Sequence, residues 1–323
     1  MAMNGADGEG RPQGEQVMSI AQRLTRIVRR GLIDCGLTRQ AAFEVGGRRL
    51  VYQPIRRQSR LLDQLIDQGL WSYEPELAHF IFANPFAYER FVDGGAHIAL
   101  FSTIAECSGK YQSITAIEAS PATAAYIRAF KKHNGLAFDL HECALGSGEG
   151  RLTFEIPETG YVMPSHSALS ISDLYREQTK RKIEVASRPL KRFIAPGRTL
   201  VKLDCEGAEE TILKAALAML RSRSDIDLII EIMINDANKD AVFALMREAG
   251  FDAYLMTNGG LVREDRPLTC RSRAPSPSQA HRARDGAITC SQKRRPARWK
   301  PFPRRFTAIS LEFPGRGPIN HLI

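Results

Sequence analysis

The residues best placed to do chemistry are carboxylates that stand where apolar runs end. In FVDGGAHIALFS, from Phe91 to Ser102, Asp93 closes a short apolar run and is followed by Gly94, Gly95, Ala96 and His97 before a second apolar run begins. That order reads as strand, tight turn and helix, with the helix starting near Ile98 and its free N–H groups pointing back at the turn. Gly94 and Gly95 allow backbone geometry, including positive φ, that a side chain penalises, so a ligand can approach the main chain closely. A third glycine would complete G-x-G-x-G at position 99, which is Ala99, so the turn by itself leaves a purely structural reading open. Glu118 ends SITAIE 25 residues beyond Asp93, the place from which an acid binds ribose hydroxyls in open α/β sheets.

A second acidic group follows in TLVKLDCEGAEETILKAALAML, where Asp204, Glu206 and Glu209 separate a buried strand from a long helix. A strand-end carboxylate such as Asp204 can contact a ligand's amino group or accept a proton from a hydroxyl. The structural alternative is a helix N-cap, with Glu206 and Glu209 favoured at the positive end of the helix dipole. Glu231 lies inside the apolar LIIEI, where ionisation is costly without a partner. His166, in SHSALS, is a candidate base or substrate ligand, with a solvated loop histidine as the structural alternative.

The elements that must position these residues follow a regular rhythm from Phe91. Strands are expected near FVDG, SITAIE, FDLHECAL, TLVKLD, DLIIEI and FDAYLM, and helices at IALFSTIAEC, PATAAYIRAFKKH, GAEETILKAALAML and DANKDAVFALMREAG. Alternating strand and helix predicts a doubly wound α/β fold with a mostly parallel sheet covered on both faces. GSGEGRLTFEI reads as a small hairpin after the third strand, and about forty residues then precede TLVKLD. A long insertion at the carboxyl edge of such a sheet is a usual seat of substrate selection. Upstream, residues 1–16 are polar and glycine-rich and are expected to be disordered. Residues 17–32 carry apolar positions at helical spacing, FEVGGRRLVYQPI reads as a hairpin around Gly46 and Gly47, and RLLDQLIDQGLW as a short helix. The expected organisation is 1–16, a helix, hairpin and cap over 17–88, the main domain over 89–262, and a basic tail over 263–323.

Charge is divided unevenly along the 323 residues. The tail holds 14 Lys or Arg against 4 Asp or Glu, and residues 1–262 hold 31 against 32. A core this close to neutral argues against a polyanionic substrate, because phosphate neutralisation supplies most nucleic-acid affinity, so nucleic acid is a candidate partner only for the tail. The tail also holds 8 of the 17 prolines and, FTAISLEF apart, resembles no strand. Six scattered cysteines form no C-x-x-C pair, which argues for free thiols and against a zinc site or disulfide framework. No apolar run approaches the roughly 18 residues that span a bilayer, and the polar start has no signal-peptide character, so a cytoplasmic protein is expected.

VDGGAHIAL, the strand-end Glu118, ALGS at Ala144 to Ser147, KLDCEGAEETIL and LIIEI together resemble the FkbM family of S-adenosylmethionine-dependent methyltransferases. The likeness covers roughly residues 89–261, and KLDCEGAE carries most of its specificity. It implies a Rossmann-like sheet of the class I methyltransferase type, S-adenosyl-L-methionine as cofactor, and O-methylation of a hydroxyl on a small molecule or glycan. It further implies that Asp93, Gly95 and His97 line the methionine and ribose end of the cofactor and that Glu118 holds the ribose hydroxyls. Glu142, Ala144 and Leu145 would flank the adenine, and Asp204, Glu231 and His166 are the candidates for catalysis. The chain departs from the family pattern at His97, where Asn is usual, and at Ala99, where Gly is usual. In the same family sheet a final antiparallel strand is expected after the sixth, a place FTAISLEF could fill. A nicotinamide-dependent oxidoreductase would share the acidic strand end, but G-x-G-x-x-G is absent and KLDCEGAE has no role in it. A non-catalytic Rossmann-like protein that binds nucleic acid or another acidic surface through its tail is the alternative from a different class.

Overall fold

The computed structural model describes residues 41–52, 60–157, 180–205, 207–233, 239–257, 260–263 and 306–312. The N-terminal segment 1–16, the helix expected over 17–32, His166 with most of the insertion, Glu206, and the tail from 264 to 305 lie outside them.

An antiparallel hairpin, β1 (Ala41–Val45) and β2 (Arg48–Tyr52), opens the described fold. It is followed by α1 (Arg60–Gln68), a 3-10 turn at Leu70–Ser72 and α2 (Pro75–Ala83), a helix for which sequence reasoning gave no expectation. Next come β3 (Arg90–Gly94), α3 (Leu100–Ser108), β4 (Ser113–Glu118), α4 (Pro121–Asn134) and β5 (Asp139–Glu142). The start of α4 follows from its sequence. Ser120 Oγ accepts the Thr123 N–H at 3.3 Å, Pro121 occupies a first-turn position where no N–H is needed, and the helix stops at Gly135, which takes φ 60°. The hairpin packs on the far end of this helix: Val51 N–H donates to Asn134 Oδ1 at 2.7 Å, and the Tyr52 ring stacks on Phe130.

Beyond β5 the chain makes β6 (Ala144–Leu145), β7 (Gly150–Pro157), β8 (Lys180–Arg188), a 3-10 turn at Leu190–Phe193 and β9 (Thr199–Leu203). The remaining elements are α5 (Glu209–Ser222), β10 (Ile226–Met233), α6 (Lys239–Glu248), β11 (Asp252–Thr257), β12 (Gly260–Arg263) and β13 (Phe306–Glu312). The main sheet runs β5-β4-β3-β9-β10-β13-β11-β12, parallel except for β12. Strand order reverses between β3 and β9, so the crevice of the doubly wound sheet opens beyond the carboxyl ends of those two strands.

Three expectations need correction. FTAISLEF enters the sheet as β13 between β10 and β11, but parallel to both, where an antiparallel strand was expected. GSGEGRLTFEI is not a hairpin on itself. Its strand β7 pairs antiparallel with β8, from Gly150↔Ser187 to Pro157↔Lys180, across the insertion. FDLHECAL is not one strand either: β5 joins the main sheet, while β6 joins β8 in a separate three-stranded sheet.

Register decides which side chains share a face. Val92, Val201, Leu203, Leu228 and Ile230 belong to the apolar core that also takes in Ile212, Leu213 and Ala216 of α5 and Val242, Phe243 and Met246 of α6. With a period of two, the intervening Asp93 and Lys202, which pair across β3 and β9, point to the opposite face, that of α3. Glu118 and Glu231 fall on this same face by register, so four ionisable residues were placed there by alternation before any tertiary contact is considered.

Candidate functional site

The glycine turn is clamped from both sides by neighbouring strands. Gly95 and Ala96 N–H both donate to Ile117 O, at 3.0 and 2.9 Å, and Asp204 N–H donates to Gly94 O at 3.0 Å. His97 N–H donates to Glu118 Oε2 at 2.9 Å. The N–H groups of residues 95 to 97 are therefore occupied within the protein. Gly95 takes φ 76°, and a Cβ built on it would lie 1.8 Å from the carbonyl oxygen of Asp204. From the sequence this glycine is assigned to the close approach of a ligand. The fold itself requires it.

The helix begins at Leu100 instead of Ile98, because His97 and Ala99 both adopt left-handed backbone, with φ of 51° and 59°. That region costs an L-residue roughly 1 to 2 kcal/mol, with Asn and Gly the residues that tolerate it best. This gives a physical account of the two departures noted in the sequence: Asn and Gly suit the backbone here, and His97 and Ala99 bear strain in their place. Ala99→Gly should accordingly raise stability by about 0.5 to 1 kcal/mol, after allowing for the greater freedom of glycine in the unfolded chain. The urea midpoint measures it, and an unchanged or lower midpoint would contradict the left-handed assignment.

Asp93 is fully buried, and its Oδ2 accepts the Ser102 N–H at 3.1 Å and the Ser102 hydroxyl at 2.7 Å. It thus caps the first turn of α3. Burial pushes its carboxyl up from the ordinary value, and Lys202 and Ser102 act against that push. Glu118, also buried, accepts one N–H on each oxygen, His97 on Oε2 and Ser120 on Oε1 at 2.8 Å. Burial raises its carboxyl to about 7 despite those two donors. Glu142 pairs with Glu118 in register at the end of β5, but its carboxylate is exposed and bridges to Arg128 on α4 at 2.6 Å. Ala144 and Leu145 are buried in β6, and a Cβ on Gly94 would come within 2.8 Å of Leu145 Cδ1.

Asp204 stands just past β9 beside Gly95, with its side chain 26% exposed and Oδ2 3.0 Å from the Lys202 ammonium. Glu209 has the structural role considered for it. Its two oxygens accept the N–H groups of Cys205, at 2.6 Å, and Gly207, at 2.9 Å, fastening the loop between β9 and α5. Burial raises this carboxyl to about 7 as well. Glu231 is half-buried at the end of β10, level with Asp204. The described residues therefore bring Asp93, Gly95, His97, Glu118, Leu145 and Asp204 around the end of β3, with Glu231 one strand further along. Lys202 was missed, although its charge between Val201 and Leu203 in a five-residue buried strand was visible in TLVKLD. Among the described residues no group of His, Cys, Asp and Glu is arranged to hold a metal ion, and no helix is long and apolar enough to cross a membrane.

A doubly wound parallel sheet whose β3–β9 switch point carries a glycine turn, an acid at the end of the next strand and a second acid beyond β9 defines a Rossmann-like fold. Residues 93–253 match the family model described as the methyltransferase FkbM domain, and over this span the chain belongs to the FkbM methyltransferase family. Among solved structures it is similar to the methyltransferase FkbM of Methylobacillus flagellatus KT, with 16% identity over 53% of this chain and 44% of that one and a TM-score of 0.30. It is also similar to the precorrin-6y C5,15-methyltransferase of Geobacter metallireducens GS-15, with 13% identity over 59% of this chain and 82% of that one and a TM-score of 0.33. The chain thus spans less than half the length of the first, and likenesses this distant bear on neither substrate nor activity. No curated protein matches the chain.

Proposed function

We propose that this protein is an S-adenosylmethionine-dependent methyltransferase of the cytoplasm that methylates a hydroxyl of a small molecule or sugar. The observation that carries the cofactor assignment is the state of Glu118. A buried carboxylate with one N–H donor on each oxygen is short of partners for its remaining lone pairs, and a vicinal diol supplies two. When bound, the cofactor supplies a methyl group on a sulfonium, which departs as a neutral thioether. The chain's own work is placement and proton handling. Glu118 accepts the ribose hydroxyls, Gly95 and His97 form the wall beside them, and Asp93 keeps the start of α3 in place under that wall. Ala144 and Leu145 bound the adenine side, with Glu142 at its solvent edge. Asp204 faces the amino end of the cofactor or takes the acceptor's proton, and Glu231 and His166 are the other candidate bases. A positioned base contributes about 10² to 10⁴ in rate, and alignment of the two reactants supplies the rest.

The test is calorimetric titration of the full chain with S-adenosylhomocysteine between pH 6 and 8. Binding requires Glu118 ionised to accept two hydroxyls, and its carboxyl lies at about 7 in the unliganded protein. Affinity should therefore be flat above that value and fall, by up to about tenfold per unit, as pH drops below it. Absence of binding across the whole range would remove the cofactor assignment. Binding that does not change with pH would remove Glu118 as its acceptor.

A further inference from the structure

Lys202 is 2% exposed in the centre of the sheet, where an ammonium costs several kcal/mol unless it is paired. Carboxylates approach it from four elements: Asp204 past β9, Asp93 on β3, Glu231 on β10 and Glu74 at the start of α2. Burial alone would lower the ammonium's affinity for its proton, but these four acids together more than offset it and leave the lysine above its ordinary range. The ring of Phe101, in the first turn of α3, lies 5.1 Å from Nζ and closes the remaining side. The direct ion pair is with Asp204, at 3.0 Å, and the two partners differ sharply in exposure, 2% against 26%. Lys202 cannot reach a ligand in the crevice, whereas Asp204 can.

We propose that Lys202 is a positioning residue that fixes the Asp204 carboxylate in one orientation at the crevice, where it receives the cationic amino group at the methionyl end of the cofactor. This rests on the cofactor assignment above and extends it. Asp204 is the partly exposed member of the pair, so a cationic group beside its carboxylate is favoured over a neutral or anionic one. A carboxylate held in this way acts as a fixed receptor, and removal of the acceptor's proton falls to Glu231 or His166. Aliphatic substitution of Lys202 alone should free Asp204 to turn away, without disturbing the nucleoside end of the crevice at Glu118.

The experiment is a double-mutant cycle on the full chain with Lys202→Met, Asp204→Asn and the combined variant. Two ligands are titrated: S-adenosylhomocysteine, which keeps the amino acid end, and 5′-methylthioadenosine, which lacks it. Each single variant is expected to weaken S-adenosylhomocysteine by roughly tenfold or more, as the loss of a hydrogen bond to a charged group implies. The combined variant is expected to bind it no more weakly than Asp204→Asn, and 5′-methylthioadenosine should bind all four proteins alike. Parental affinity in Lys202→Met, additive losses in the combined variant, or an equal loss for both ligands would each overturn the proposal, the last by showing a general structural role. If Lys202→Met does not fold, the combined variant, which replaces the pair by two uncharged residues, remains comparable with Asp204→Asn, and a weaker affinity in it overturns the proposal. A parent that binds neither ligand fails at the cofactor assignment instead.

Discussion

Gly95→Val will strongly destabilise the fold. The position has φ 76°, which a β-branched residue rarely adopts, and the added Cβ would meet the Asp204 carbonyl oxygen at 1.8 Å, far inside van der Waals contact. Relief would require the β9 end to move, yet Asp204 N–H is bonded to Gly94 O, and the Gly95 and Ala96 N–H groups are bonded to Ile117 O. Three parallel strands therefore resist the shift together. Strained backbone, overpacking and lost buried hydrogen bonds combine to an expected loss above about 4 kcal/mol, a large part of the 5 to 15 kcal/mol that holds an ordinary domain together. Circular dichroism and urea unfolding measure this. A variant that melts like the parent would mean that the turn does not pass against Asp204. Substitution at Gly95 consequently reports on folding and cannot serve as a probe of cofactor contact.

Local chemistry made part of this site legible and topology hid the rest. Asp93, the glycine pair, Glu118 and Asp204 could be located because each ends an apolar run, and α4 because Ser120, Pro121 and Gly135 mark its ends. The alternation in TLVKLD also carried the buried lysine, since a charge between two core residues of a central strand must find partners. The β7–β8 pairing was not legible: its partners are separated by the insertion, and nothing local in GRLTFEI names a strand some thirty residues away. The direction of β13 was hidden for a related reason. FTAISLEF is apolar enough to be a central strand either way, so its composition does not set its direction. The left-handed backbone at His97 and Ala99 left little signal in the residues themselves, because Ala disfavours it and His adopts it less readily than Gly; it follows from the strands on either side.

Glu118→Ala should lower the affinity for S-adenosylhomocysteine by about 1.5 to 3 kcal/mol, or roughly 10- to 150-fold, the range for hydrogen bonds to a charged acceptor. The substitution removes the acceptor of the His97 and Ser120 N–H groups as well, so part of the loss could come from a loosened turn. Glu118→Gln separates the two contributions. Glutamine keeps the length and one acceptor oxygen, so it can still receive one N–H, but it presents an amide NH₂ where the second acceptor oxygen stood and carries no charge. If the carboxylate binds the ribose diol, Gln should lose most of the affinity that Ala loses while retaining more of the parental stability. The pH dependence should also vanish in both variants, because the group that titrates at about 7 is gone. Calorimetry at pH 6, 7 and 8 with parallel thermal unfolding provides all three readings. Parental affinity in Glu118→Gln, or an affinity in either variant that still falls below pH 7 as in the parent, would assign the diol and the titration to other residues and leave Glu118 as a support of the turn.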